Sequence, residues 1–455
     1  MSATKPSASQ GQDDHKLNIL LTNGRFPVSL DLARQFRLAG HTVYCIDPMG
    51  THICTFSKAV KQSAQVPAPH KNATGYIQAV KLLVARWHID IIIPIHEEIF
   101  CLADSKEPEV LDRLFAPSFD LLVRLHNKHE FTNYMEQLGL AVPRAWLCKS
   151  LHDVMQFPVE EFPDGIALKP CFGRACSGLY HLKPGAPIPT DLQIDEDNWY
   201  VAQEWLEGKR YCSYSIVREG RIEATSCYPV LDTLDGSSSV FFRQTFHPGI
   251  YDYIYGFVTG GPKFSGQIAF DFIETSKGLY AIECNPRATS GLHLWTNTPS
   301  LAEAITGSLP KELIERPIRP PKKRSGRESH AQVAAGMLMW QHKDATTRVW
   351  LRHMKRLIFT RDVIWKWRDP MPTIAQPFLL TEYYRMCRRT GLQLPKLFQE
   401  QLIWEPKGEE LRRVRAMFGK HHSIGADSGV VVLPQPVEHV ESWDTRTLTT
   451  TTEGS

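Results

Sequence analysis

The sequence predicts an α/β protein with a helical C-terminal extension, and three observations carry that prediction. Strand and helix patterns alternate through the first hundred residues, which argues for a parallel sheet. Between about residues 140 and 285, short strand patterns are joined by loops and tight turns, as in an α+β body. Beyond residue 331 the pattern becomes helical and basic.

At 455 residues the chain is too long for one ordinary core, and two to four domains are expected. The boundaries expected are a disordered 1–16, a parallel-sheet domain 17–118, an α+β body 119–315, a basic linker 316–330, a helical extension 331–420 and a disordered tail 421–455. A hydrophobic content of 42% with 22% charged residues describes a globular chain. A net charge of +3 gives no general attraction to nucleic acid, so no nucleic-acid partner is expected. Ten cysteines without a C-x-x-C pair suit a reducing compartment. The first residues lack an apolar signal core, and no run approaches the ~20 apolar residues of a membrane span. A cytoplasmic location is the expectation.

LNILLTNG (17–24) reads as a buried strand ending in a turn, and Pro27 opens a helix that Gly40 ends. HTVYCID (41–47) is the second strand, Ala73 to Trp87 a helix, and IDIIIPIHEE (89–98) the third strand. His96 and Glu97 then fall at the carboxyl edge of the sheet, where such sheets bind ligands, and are candidate substrate contacts. No G-x-G-x-x-G follows the first strand, which argues against a nicotinamide cofactor.

Lys128 stands at the start of a helix running to Gly139, with Phe131, Tyr134, Met135 and Leu138 as its apolar side. IALKPCFGRACSGLYHL (166–182) is a strand, a small turn-rich loop and a second strand. Lys169 ends the first of these, and Gly173 and Gly178 let backbone N–H groups approach an anion. WYVAQEWLEGKRYC (199–212) is a buried strand turning at Gly208, and residues 211–226 form a hairpin. Residues 232–262 have no clear period, and the Tyr251–Tyr255 aromatics read as core in preference to a pocket wall.

The most informative stretch is GQIAFDFIETSKGLYAIECNPRATSGLHLW (266–295). Ile268–Thr275 and Leu279–Asn285 read as two strands around a three-residue Ser276-Lys277-Gly278 turn, stopped by Pro286. That register sets Asp271 directly opposite Glu283 on one face, with Cβ atoms ~5 Å apart. Asn285 follows on the same face. Two such carboxylates repel unless they share a proton or a cation. With the amide they form a hard oxygen set suited to Mg²⁺, and Arg287 could meet a phosphate oxygen.

An acid on one strand followed twelve residues later by E-x-N-x-R resembles the metal-binding end of the ATP-grasp ligases. K-x-x-F at Lys128 and L-G-L-x-V-P after it are similar to the entry of that fold. The resemblance implies the α+β ATP-grasp fold with its N-terminal parallel-sheet domain, and ATP with Mg²⁺ or Mn²⁺ as cofactors. It assigns Asp271, Glu283 and Asn285 to the metal and Arg287 and Lys169 to catalysis. Lys128, Lys169, Gly173, Ser177 and Gly178 fall to the phosphates. Gln203, Glu204, Trp205 and Leu206 match the purine hinge, with the acidic role at Glu204 or Glu207. Arg174 in the loop meets a phosphate or an acidic substrate. The loop has fewer glycines than the family pattern, and Arg210 stands where a glutamate is usual.

The implied reaction is ADP-forming C–N ligation of a small-molecule acid to an amine, with a homodimer as one arrangement. The form E-C-N-P-R and the D-P-x-P break at Asp369 are similar to the branch that makes mycosporine-glycine, which joins glycine to a cyclohexenone. Fungal ATP-grasp proteins of secondary metabolism are comparable relatives. A phosphotransferase that stops at the phosphorylated product and a nucleotide-binding scaffold are the alternatives. Val349, Trp350, Met354, Leu357 and Ile358 line one face of an expected helix, read as packing on the catalytic body in preference to a membrane surface.

Overall fold

A computed structural model describes residues 16–173, 178–234, 238–310, 316–323, 325–339, 346–394, 397 and 403–418. The expected disordered ends, 1–16 and the tail from 421, lie outside them except for Lys16.

The N-terminal sheet is parallel, in the order Val60–Gln65, Thr42–Asp47, Asn18–Leu21, Ile91–Ile93. Helices Pro27–Leu38 and Ala73–Trp87 supply the crossovers. Asn72 caps the latter by accepting from Gly75 N. Two expectations are corrected here. The third strand is only Ile91–Ile93, because Pro94 follows and cannot donate to a ladder. Glu98 therefore begins a helix, Glu98–Ala103, and does not end a strand. The Val60–Gln65 strand was not anticipated: VKQSAQ is polar, which suits a sheet edge.

Two antiparallel four-stranded sheets make the body. One runs Ala145–Cys148, Tyr200–Glu204, Ile166–Pro170, Tyr180–Leu182. The other runs Arg221–Pro229, Lys209–Arg218, Gly266–Thr275, Gly278–Asn285. Helix Lys128–Gln137 packs Phe131, Tyr134 and Met135 into one core with Phe257, Phe270 and Phe272. Within 232–262, where no period was read, a helix spans Pro248–Gly260. It buries Ile250, Tyr251, Tyr253, Ile254, Phe257 and Val258, while Asp252 and Thr259 face outward. Tyr251 and Tyr253 are core, as expected, whereas Tyr255 is exposed.

The C-terminal extension docks through polar anchors. Asp369 of the D-P-x-P break accepts from Arg34 Nε at 2.9 Å, Ser57 Oγ at 2.6 Å and Lys58 N at 2.9 Å. In the basic stretch 316–330, Ile318 exchanges hydrogen bonds with Glu223 and Thr225. The helix Thr347–Phe359 does not bury the apolar face expected of it. His353 is its one buried residue, its Nε2 donating to Met337 O at 3.1 Å, and Arg356 pairs with Asp232. Of that face Leu357 packs against Val240, Phe241 and Met337, while Trp350, Ile358 and Phe359 stay exposed. Large exposed apolar side chains concentrate from Leu338 to Tyr384, with Trp367 85% exposed. Among the described residues no helix is long and apolar enough to cross a membrane.

Candidate active site

The hairpin Gly266–Asn285 arrives at the expected pairing by a different route. Its turn has two residues, Ser276-Lys277, because Thr275 pairs with Gly278. Thr275 Oγ1 accepts from Lys277 N at 3.0 Å and donates to Gly278 O at 3.2 Å. Gly278, at φ +150°, takes a conformation side chains rarely adopt. A turn one residue shorter shifts the register by one, which would send Glu283 to the wrong face. A bulge at Ile282, between Ala281 (paired with Phe272) and Glu283, shifts it back. Asp271 faces Glu283, and Ala269 faces Asn285.

The pair carries the repulsion its geometry implies. Burial and the Glu283 charge push the Asp271 carboxyl up to about 6, against the pull of Cys212, Arg210 and Arg287. Arg210 pairs with Ile273 and Cys212 with Asp271, so both side chains share the face of the carboxylate. The departure from the family pattern at Arg210 thus sets a positive charge beside the acids. Arg287 Nη2 donates to Asn285 Oδ1 at 2.8 Å, fixing the amide at the strand end.

Lys169 joins the two sheets. Its Nζ donates to Gln203 Oε1 at 2.8 Å and to Ile282 O at 3.4 Å, the carbonyl of the bulged residue. Lys128 is buried at the helix start that Asn127 caps. Its backbone N–H donates to Cys171 O at 2.9 Å and its Nζ to Gly173 O at 2.7 Å. Lys128 therefore grips the loop after Ile166–Pro170 from below. Gly173 (φ +136°) and Gly178 (φ +67°) occupy the left-handed region at the two ends of that loop. Arg174 and Ser177 lie outside the described residues.

The hinge residues diverge. Gln203 is buried on Lys169, Glu204 Oε2 accepts from Arg144 Nε at 3.0 Å, and Trp205 stacks on His181 with centroids 3.7 Å apart. Leu206 is half-buried and Glu207 exposed. Glu207 is thus the more accessible of the two acids.

His96 stacks on Phe26, and its Nδ1 accepts from Glu97 N at 2.9 Å. Glu97 Oε2 accepts from Trp404 N at 2.9 Å, so the C-terminal extension reaches this edge. Two residues here were not found in the sequence. Trp404 stacks on Phe100 with centroids 4.3 Å apart. His126 ends the helix Phe119–His126, and burial pushes its imidazole down to about 4. It feels Glu97 and Glu283 in one direction and Lys128 and Arg287 in the other. Candidates from three separate stretches therefore converge around one imidazole. A histidine closing a short amphipathic helix gives no local signal of that role.

A cavity of about 700 Å³ opens behind the loop, walled by Gly173, Gly178, Trp199, Tyr200, Lys149 and Arg415. Asp271 and Glu283 are not among its walls. A second, of about 330 Å³, includes Glu97 and Trp404. The carboxylate hairpin lies in neither, and its chemistry, more than any cavity, marks the site.

Two antiparallel sheets bridged by a lysine, with a parallel-sheet domain before them, make this an ATP-grasp fold. Solved structures agree. The chain is similar to a carboxyaminoimidazole ribonucleotide synthase from Aspergillus clavatus complexed with ATP, at 11% identity, covering 68% of this chain and 81% of that one, with a TM-score of 0.53. It is similar to an L-amino acid ligase from Bacillus licheniformis at 14% identity, over 67% and 78%, with a TM-score of 0.51. It also resembles the biotin carboxylase domain dimer of the Hydrogenobacter thermophilus 2-oxoglutarate carboxylase, complexed with MgADP, ADP and bicarbonate, at 12% identity, over 70% and 74%, with a TM-score of 0.50. No protein-family model matches the chain, and no curated protein matches it.

Proposed function

We propose that the chain is an ATP- and Mg²⁺-dependent, ADP-forming ligase that phosphorylates a carboxylate or vinylogous acid and joins it to an amine through a C–N bond. The observation that carries this reading is Asp271 opposite Glu283, with Asn285 held beside them by Arg287. Two carboxylates and an amide oxygen are hard donors, and their mutual repulsion is what a divalent cation relieves. Asp271, Glu283 and Asn285 would hold Mg²⁺ or Mn²⁺, which would supply charge neutralisation at the nucleotide phosphates.

The remaining work falls to the chain's own side chains. Lys128 and Lys169 bind phosphate oxygens, and Gly173 and Gly178, with Ser177 between them, offer backbone N–H groups. Arg287 and Lys169 offset charge on the transferring phosphoryl group, so catalysis is positioning and electrostatics. The segment Gln203–Leu206 reads the purine, and Glu207, more accessible than Glu204, takes the ribose or adenine. His96, Glu97 and Arg174 face the acid substrate. The amine then attacks the acyl or enol phosphate, a C–N bond forms and inorganic phosphate leaves. The similar fold of an amino acid ligase fits this reaction class. Within it we favour small-molecule secondary metabolism in the cytoplasm, with glycine and a cyclohexenone as the first pair to try.

The test is ADP release with Mg·ATP against a panel of acids, a cyclohexenone included, with and without amino acids, beside Glu283→Ala. ADP formed with one acid–amine pair and lost in the variant supports the ligase. Phosphorylated acid accumulating whether or not an amine is present points to a phosphotransferase. ATP binding without turnover across the panel points to a scaffold.

A further inference from the structure

Cys45, His52 and Cys54 lie far from the carboxylate hairpin in sequence and have no part in the proposed reaction. Cys45 sits in the Thr42–Asp47 strand, His52 in the loop after it, and Cys54 in the 3₁₀ turn Ile53–Phe56. All three are buried, His52 being 1% exposed. Each offers one donor atom, and the three atoms lie within 4.8 Å of one another. Cys54 N donates to Gly24 O at 3.2 Å, which ties the 3₁₀ turn against the first strand's turn.

The imidazole supplies the second observation. His52 Nδ1 is buried and has no hydrogen-bond partner among the described residues. Cys54 is within hydrogen-bonding reach of both Cys45 and His52, so the two thiols and the ring face one another. The ring and one thiol meet over Gly24: a Cβ built there would lie 2.4 Å from His52 Nδ1 and 2.6 Å from Cys45 Sγ. Glycine at position 24 leaves that space to the ring and the sulfur.

We propose that Cys45, His52 and Cys54 form a three-donor zinc site in the N-terminal domain. Two sulfurs and one imidazole nitrogen are a donor set that selects thiophilic d¹⁰ cations over Mg²⁺ or Ca²⁺. Charge decides between the two commonest. Two thiolates with Zn²⁺ are neutral overall, whereas with Cu⁺ they leave a net negative charge in a buried place, where an unpaired charge is costly. The adjacent Asp47 already engages Arg25 and Met49 N, and so does not add to the donor set. Binding releases the two thiol protons to solvent and changes no oxidation state. Three protein donors leave one position of the tetrahedron to water.

The site lies where the N-terminal domain meets the C-terminal extension. Cys45 and Cys54 share one core with Met49, Ile53, Leu379 and Tyr383, the last two from the helix Gln376–Thr390. Zinc bound there stiffens the surface on which the extension docks.

The experiment uses the full chain, produced with zinc and copper supplied and purified in reductant. Plasma mass spectrometry is expected to find about one zinc per chain and little copper, as for a site of two thiolates and one imidazole. Cys54→Ser and His52→Ala are expected to lower zinc content at least about tenfold. Since either variant could misfold, the wild-type protein is also stripped with chelator and titrated with Co²⁺. Thiolate-to-cobalt charge-transfer absorption in the near ultraviolet, saturating at one equivalent and removed by Zn²⁺, supports the site. Less than about a tenth of a zinc per chain with no cobalt spectrum overturns it, as does a Cys45–Cys54 disulfide in the reduced preparation. Equal copper and zinc occupancy overturns the choice of metal.

Discussion

Lys169 Nζ donates to the carbonyl oxygen of Ile282 at 3.4 Å, and so reaches from one antiparallel sheet to the bulged residue of the other. A bulge leaves a residue unpaired in its ladder, and here that residue faces a lysine. The irregularity that restores the Asp271–Glu283 pairing also gives Lys169 its second partner. Lys169→Met is expected to lower ADP release by roughly 10²–10³-fold, the usual cost of removing one preorganised charge donor. Circular dichroism should show the fold retained. An activity within threefold of wild type would remove Lys169 from the catalytic set.

The carboxylate pair makes a stability prediction opposite in sign to its activity prediction. The Asp271 carboxyl is raised from 3.8 to about 6, so the folded metal-free protein holds a proton that the unfolded chain releases. Its contribution to stability is therefore greatest below pH 4 and is lost as pH rises to about 6. Asp271→Asn should stabilise the metal-free protein at pH 7.5 by on the order of 1–2 kcal/mol, after allowing for partial exposure. The gain should shrink toward pH 4.5, and Mg·ATP turnover should be lost. Urea unfolding at both pH values reads the first effect. A variant less stable than wild type at pH 7.5 would contradict the repulsion.

His126 works the other way over the same range. Its imidazole is lowered from 6.5 to about 4, so the unfolded chain takes up a proton that the folded one resists. Stability is lost as pH falls from 6.5 to about 4, by roughly 2–3 kcal/mol. His126→Phe should remove that loss and leave only the Asp271 slope, so that stability falls as pH rises from about 4 to 6; unfolding free energies measured between pH 4 and 7 would reveal it. The two titrations offset one another in the wild type, so neither is visible until the other is removed.

Arg287 holds Asn285, and the two should fail together. Arg287→Ala and Asn285→Ala are each expected to raise the Mg²⁺ concentration needed for half-maximal turnover by about 10–100-fold, as partners of metal ligands do. The double variant should be scarcely worse than the single ones. Additive losses would mean that the 2.8 Å contact does not serve the metal.

Asp369→Ala should cost about 3–5 kcal/mol, because the buried Arg34 guanidinium loses its partner. Ser57 Oγ and Lys58 N lose theirs as well. Hydrogen exchange should rise across 371–390 before it rises in the sheets. Unchanged protection there would show that apolar contacts alone hold the extension.

The hairpin was legible in the sequence because its acids, turn and terminal proline are local, and alternation alone sets their faces. Yet its turn is one residue shorter than read, and only the bulge at Ile282 returns the expected pairing. No propensity marks that bulge. The places of Lys128 at a helix start and Lys169 near a strand end were read from the sequence, whereas their roles came from the resemblance alone. The polar Val60–Gln65 strand was hidden by its lack of alternation, and the Pro248–Gly260 helix by a near-continuous apolar and aromatic run. His126 and Trp404 could not be read locally, because burial and distant charges define the one and a long return of the chain the other. The amphipathic face at Thr347–Phe359 was read correctly as a pattern but wrongly as buried, since Trp350 and Ile358 stay exposed.

Trp404 meets Glu97 across 307 residues of chain. At ordinary synthesis rates roughly 15–60 s separate the emergence of the two residues from the ribosome. During that interval Glu97 lacks the hydrogen bond from Trp404 N, and Phe100 has no stacking partner from the extension. The nascent N-terminal domain thus presents an apolar, acid-bearing rim that chaperones can occupy. Any truncation ahead of position 403 makes that unfinished state permanent.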